Sequence, residues 1–217
     1  MRVIRKTIIS SISLMVFLFV GPLGAARYIW YNLVLKQQSP PGITFITEAY
    51  AVVLSSVEEA LRSVMPDAND IKSEIKELSV EQREVIAQKA KIEFDPIYDK
   101  EFQFYIGRTN GQIVGYAVED FVKGKWGPIH YLLSLDVEGH VKNIIVLEYK
   151  ERRGKPVATR RFLKQFLGKT VNDRITLKKD IRSVSGATIS SRGMTNGIRK
   201  LVYIFNETYT QEYHAKK

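Results

Sequence analysis

The sequence predicts an α+β fold: an antiparallel sheet with packed helices, preceded by an N-terminal transmembrane or signal helix. Three observations carry this expectation. Between residues 102 and 148 apolar residues alternate and are punctuated by turn residues. On both sides of that region apolar residues recur at helical spacing instead. A long charge-free run stands directly behind a basic N-terminus.

Arg2, Arg5 and Lys6 precede that run, which extends from Thr7 to Ala26 and is strongly apolar from Ile8 to Val20. Its length is about the minimum for a helix that spans a bilayer, and a basic flank belongs on the cytoplasmic side. Tyr28, Trp30 and Tyr31 follow where an interfacial aromatic belt would stand. A cleaved signal peptide fits the same residues, with Gly21-Pro22 and then the small Gly24-Ala25-Ala26 behind a short apolar core. Both readings place the rest of the chain on the extracytoplasmic (periplasmic) side of the cell membrane. Residues 1–31 are therefore set apart as a membrane anchor or signal segment.

Residues 32–98 read as a linker and helical region. Gln37-Gln38-Ser39-Pro40-Pro41-Gly42 contains prolines that cannot continue a helix. Leu54, Val57, Leu61 and Val64 then recur at helical spacing up to Met65-Pro66. Asp67 to Lys91 carries Ile71, Ile75 and Leu78, then Val85 and Ile86 behind Ser79, which forms a capping-box pattern with Gln82. Both stretches are expected as packing or docking helices, their glutamates a solvated face.

Residues 99–217 are expected as the main domain. Phe102, Phe104 and Ile106 alternate, Asn110-Gly111 is a strong hairpin signal, and Ile113 to Phe121 returns. Tyr131 to Asp136 and Val141 to Glu148 flank a second turn, containing Gly139. Val157 to Phe166 reads as a helix stopped by Gly168. Met194, Ile198, Leu201, Val202 and Phe205 form an apolar stripe at offsets 4, 7, 8 and 11, the pattern of an amphipathic helix.

Composition narrows the chemistry. The 217 residues are 45% hydrophobic and 26% charged, which suits a globular protein. Without cysteine the chain offers no disulfide, thiolate zinc site or iron–sulfur ligation. His130, His140 and His214 lack ligand spacing, so no metal is expected, and no nucleophile–base pair supports hydrolysis. The net charge of +10 is concentrated between Lys150 and Arg161 and again between Arg174 and Lys200. No nucleic-acid recognition pattern accompanies it, so nucleic acid is not an expected partner; anionic lipid headgroups or a cofactor phosphate suit the same charge.

The most informative stretch is Ser185-Gly186-Ala187-Thr188, followed by Ile189-Ser190-Ser191-Arg192 and the amphipathic run. Gly186 has no Cβ to obstruct a ligand, and a helix start offers unpaired N–H groups and the positive end of its dipole. Such a site suits a phosphate, held by hydrogen bonds or by a bond to the Thr188 oxygen. An ordinary turn with Ser190 or Ser191 as N-cap fits these letters equally well.

The segment resembles the S-G-A-T motif of the FMN-binding domain family, found in flavoprotein subunits of Rnf and sodium-translocating quinone reductase complexes. Gly111 to Ala117, Gly124 to Ile129, Leu135 to Val141, Glu148 to Gly154 and Phe162 to Phe166 are similar to its further segments in the same order. The resemblance implies FMN joined through its phosphate to Thr188 of the Ser185-Gly186-Ala187-Thr188 motif; Ser185 and Ser191 suit contacts to the phosphate or the ring, and each also suits a simple cap. It implies a flavin transferase that loads the cofactor from FAD, and membrane electron-transfer partners. Trp126 and Gly127, between two strands, suit either an isoalloxazine ring or a tight hairpin, and Glu151 lies in the loop that corresponds to the family's flavin-side loop. Arg182 stands where the family usually has an acid, six residues before the threonine, with Asp180 two residues earlier. That departure keeps a second reading open: a non-redox sensing or scaffold module that binds FMN loosely or not at all.

Overall fold

Asn110 (φ 52°) and Gly111 (φ 81°) both stand in the left-handed region, as a two-residue type I′ turn requires, and the strands beside them pair antiparallel. The computed structural model describes residues 52–96, 98–150 and 156–210. Within them, β1 (Val52–Val53), β2 (Asp70–Glu77), β3 (Glu101–Thr109), β4 (Gln112–Lys123), β5 (Pro128–Leu135) and β6 (Val141–Tyr149) form one antiparallel sheet, in the order β1-β6-β5-β4-β3-β2. The helices are α1 (Val57–Val64), α2 (Val80–Ala90), the single turn α3 (Arg160–Leu163) and α4 (Thr188–Phe205). The expected α+β class and the meander from β3 to β6 are as the alternation predicts. The N-terminal helix expected in residues 1–31, the Pro-rich linker and the loop 151–155 lie outside the described residues. Among the described residues no helix is long and apolar enough to cross a membrane.

Both faces of the sheet are covered, which explains why β4 and β5 are buried almost continuously. On one face Met194, Ile198, Leu201, Val202 and Phe205 of α4 join Phe102, Phe104, Val118, Tyr131 and Leu133, with Ile86 of α2 beside them. On the other, Ala60 and Leu61 of α1 and Met65 pack on Ala117, Leu132 and Leu147. Two glycines set how close α4 comes. A Cβ at Gly193 would stand 2.3 Å from the Lys123 carbonyl oxygen, and one at Gly197 would stand 2.3 Å from Val122 Cγ1 and 2.6 Å from the Tyr131 hydroxyl.

Three expectations are corrected. Asp70 to Glu77 is a strand paired with β3 along its whole length, not part of a helix. Ile71 and Ile75 are four residues apart, which is one helical turn but also an even number, so the same spacing shares a face in a strand. The first helix begins at Val57, not at Leu54: Ser56 and Glu59 form a capping box, while the Leu54 N–H is taken by the Leu147 carbonyl. The stretch 157–166 is broken into two 3₁₀ turns around α3, closed by Gly168 at φ 75°. The Ser79–Gln82 box caps α2 as expected.

Candidate functional site

The chain enters α4 through a tight turn. Ala187 N–H donates to the Val184 carbonyl at 3.1 Å, and Gly186 between them has φ 75°, as the third position of a type II turn requires. A Cβ there would meet nothing within 4 Å, so it is backbone conformation, not space, that calls for glycine. Thr188 is the first helical residue; Ala187 occupies the N-cap position and no side chain caps the helix. Ser185, Gly186, Thr188 and Ile189 are exposed, whereas Ala187 is buried.

Ser190 and Ser191 do not cap. Both are fully buried inside the first turn of α4, and each serves a different loop. Ser191 Oγ accepts the Val184 N–H at 3.1 Å and so holds the turn from below. Ser190 Oγ accepts the Lys125 N–H at 3.2 Å and binds the β4–β5 loop to the helix start. The expectation of a cap follows from the habit of serine at a helix start, which usually accepts from its own helix. Here the helix begins two residues earlier, at Thr188, which carries both serines inside.

The β4–β5 loop is a tight hairpin. Gly124 N–H donates to the Gly127 carbonyl at 2.9 Å, and a Cβ at Gly124 would stand 2.6 Å from that oxygen. Trp126 is 42% exposed, and Lys125 Nζ lies 5.2 Å from its ring centre. Gly127 faces the Lys150 side chain, whose Cβ would be 3.2 Å from a Cβ at that position. Glu151, with Arg152 and Gly154, lies outside the described residues. The Lys125–Ser190 bond thus joins the hairpin that carries Trp126 and Gly127 to the first turn of α4, which Thr188 opens and the Ser185-Gly186-Ala187 turn precedes.

The segment before the turn is held by side chains that carry no local sequence signal. Asp180 accepts from Ile175 N–H at 3.0 Å and Thr176 N–H at 2.7 Å and pairs with Lys169 at 2.9 Å. Burial works against the Asp180 carboxylate, but the Thr176 N–H and Lys169 outweigh it and hold its pKa below the usual aspartate value. Ile175 is fully buried at φ 40°, a conformation rare for a β-branched residue, and Arg199 secures it by donating to its carbonyl at 3.1 Å. Arg182 exposes its side chain and gives both backbone groups to Gln165, N–H to Oε1 at 2.8 Å and carbonyl from Nε2 at 3.2 Å.

Farther along α4 stands a buried ionic group that sequence reasoning misses. Lys200 Nζ pairs with Asp99 and with Asp120, the latter at 3.0 Å, and the Tyr131 hydroxyl donates to Asp120 at 2.9 Å. Burial pushes the Asp120 carboxyl up, and Lys200 only partly counters it. For Lys200 itself burial disfavours the ammonium, yet Asp120 and Asp99 outweigh burial and raise its pKa. The signals in the sequence are Lys200, which with Arg199 interrupts the apolar end of the helix, and Asp120, which with Glu119 interrupts an apolar strand.

Thr188 thus presents an exposed hydroxyl at a helix start that no side chain caps, and Trp126 faces solvent on the hairpin bonded to that helix through Ser190. Residues 124–203 match the family model of the FMN-binding domain, and the cofactor that this match indicates is FMN. The matched stretch opens on the Gly124 hairpin and ends within α4. The chain is 24% identical over 151 residues to a subunit of the Na(+)-translocating ferredoxin:NAD(+) oxidoreductase complex of Acetobacterium woodii, covering 58% of this chain and 73% of that protein. It is 33% identical over 107 residues to a subunit of the ion-translocating oxidoreductase complex of Stutzerimonas stutzeri, covering 44% of this chain and 47%, about half, of that protein. Among solved structures, the crystal structure of Shewanella oneidensis NqrC covers 89% of this chain and 100% of its own, with 17% identity and a TM-score of 0.47.

Proposed function

We propose that this chain is an extracytoplasmic, membrane-associated flavoprotein that carries FMN on Thr188 and relays electrons in a membrane electron-transfer chain. The observation that carries the reading is the placement of Thr188: first residue of α4, exposed, uncapped, and flanked by the Gly186 turn and the Trp126 hairpin. The names of the two relatives, subunits of ion-translocating oxidoreductase complexes, support the relay role. Residues 1–31 provide the membrane attachment.

In this reading a separate flavin transferase joins the Thr188 oxygen to the flavin-side phosphorus of FAD. AMP leaves, and the hydroxyl proton passes to a base of the transferase. The N–H groups that open α4, with the helix dipole, then stabilise the phosphate charge. Gly186 supplies the positive φ that the turn needs, Ser191 fixes the turn beneath it, and Trp126 offers an apolar face to the ring. FMN, when bound, takes up and passes on one or two electrons, and this domain supplies its position and surroundings.

Intact mass of the native protein, and flavin content after denaturation and gel filtration, test the reading together. Flavin is expected to stay with the wild-type chain, to be absent from Thr188→Ala and to persist in part in Thr188→Ser, which keeps a hydroxyl. Flavin that remains covalently bound to Thr188→Ala would overturn the assignment. Wild-type protein without flavin would favour the non-redox module that the exposed Arg182 keeps in view.

A further inference from the structure

The basic cluster around Arg160 is not used by the site above, and the structure gives it a definite form. Beside α3 lies a groove of about 450 Å³. Its apolar lining includes Ile144, Leu163 and Leu167, and Leu167 is 47% exposed. Its cationic lining is Lys142 from β6 with Arg160 and Lys164, all exposed, and none of the three forms an ion pair among the described residues. A neighbouring Gln165 holds both backbone groups of Arg182, which ties this segment to the stretch leading into α4.

We propose that this groove docks the headgroup and first acyl methylenes of an anionic phospholipid, seating the domain on the membrane surface. Charge complementarity selects the occupant. Three cations around an apolar floor match a phosphodiester with hydrocarbon attached, the chemistry of a lipid at the interface. An acidic peptide would satisfy the cations but would set carboxylates against Leu163 and Leu167, at a desolvation cost. The proposal rests on the membrane attachment in the proposed function; it does not depend on the ester at Thr188. Its consequence is orientation: through Gln165, lipid docking would fix how the Thr188 turn faces the membrane.

The full chain has no cysteine, so Leu167→Cys can carry a single polarity-sensitive fluorophore in protein reconstituted into vesicles. Ser73→Cys, exposed on β2 at the opposite edge of the sheet, is the reference position. Emission at position 167 is expected to shift to the blue in vesicles containing phosphatidylglycerol, not in phosphatidylcholine alone, with position 73 unchanged. Lys142→Gln, Arg160→Gln and Lys164→Gln, combined stepwise, should lower the docked fraction by about fivefold per residue. All three side chains are exposed, and flavin content measured on the same samples separates a failure here from a failure of the Thr188 assignment. Identical emission in both lipids, or a shift that survives loss of all three charges, overturns the proposal. So does a label that is buried in native membranes but water-exposed in every pure lipid, since a protein would then cover the groove.

Discussion

Ser190 Oγ accepts the backbone N–H of Lys125 at 3.2 Å, and through this bond the glycine-flanked hairpin and the first turn of α4 form one unit. Ser190→Ala removes the acceptor and leaves a part-buried donor unsatisfied. A loss of about 1–3 kcal/mol in stability is expected from denaturant unfolding. Amide exchange at residues 124–127 should quicken more than in the rest of the sheet. Under the proposed function flavin loading should persist, because Thr188 is untouched; uniform exchange across the domain would show that the bond does not join the two elements.

The buried stripe of α4 and its exposed side should respond differently to truncation. Leu201 is fully buried against the sheet, so Leu201→Ala should cost about 2–5 kcal/mol. Asn196 is exposed and contributes an acceptor at 3.3 Å to Arg199, so Asn196→Ala should cost about 1 kcal/mol or less. Chemical denaturation of both variants checks this, and equal costs would contradict the packing.

Lys200 holds two buried carboxylates. Lys200→Met leaves them without their cation and should destabilise the domain by about 3–5 kcal/mol, far more than a surface lysine. In the wild type the Lys200 pKa is raised on folding, so its contribution is complete below the unfolded lysine value of about 10.4. It is lost as pH rises through the folded value. Thermal melts should therefore show an alkaline fall that is missing in Lys200→Met.

Asp180 titrates in the opposite sense. Its pKa is lowered on folding, so its contribution is present above the unfolded aspartate value of about 3.9 and is lost as pH falls through the folded value. Asp180→Asn should flatten that acid limb and loosen the segment from Ile175 to Asp180, which proteolysis can read. An unchanged acid limb would assign acid sensitivity to other carboxylates.

The sheet is legible in the sequence because Phe102, Phe104 and Ile106, the Asn110-Gly111 turn and the returning strands follow local rules that tertiary contacts do not override. The α4 stripe and the Gly186 turn are legible for the same reason. What stays hidden depends on partners remote in sequence. Ile71 and Ile75 fit a helix and a strand alike, and only pairing with β3 decides between them. Ser190 and Ser191 read as polar residues near a helix start, but their acceptor roles toward Lys125 and Val184 require the folded approach of two loops. Lys200 draws on Asp99 and Asp120, which lie 101 and 80 positions away, and no spacing rule connects such residues.

Gly193 and Gly197 let α4 lie close on the sheet: the Lys123 carbonyl takes the place of a Cβ at Gly193, and the Val122 side chain and Tyr131 hydroxyl take it at Gly197. A helix seated this closely resists displacement, since movement toward the sheet drives its backbone into the Lys123 carbonyl. In the proposed function, a cofactor tethered at its first residue would therefore be mounted rather than hinged. For the proposed relay, the gap across which an electron tunnels would be changed by displacement of the whole domain, so turnover should follow the reach of its membrane tether and not any rearrangement within the fold.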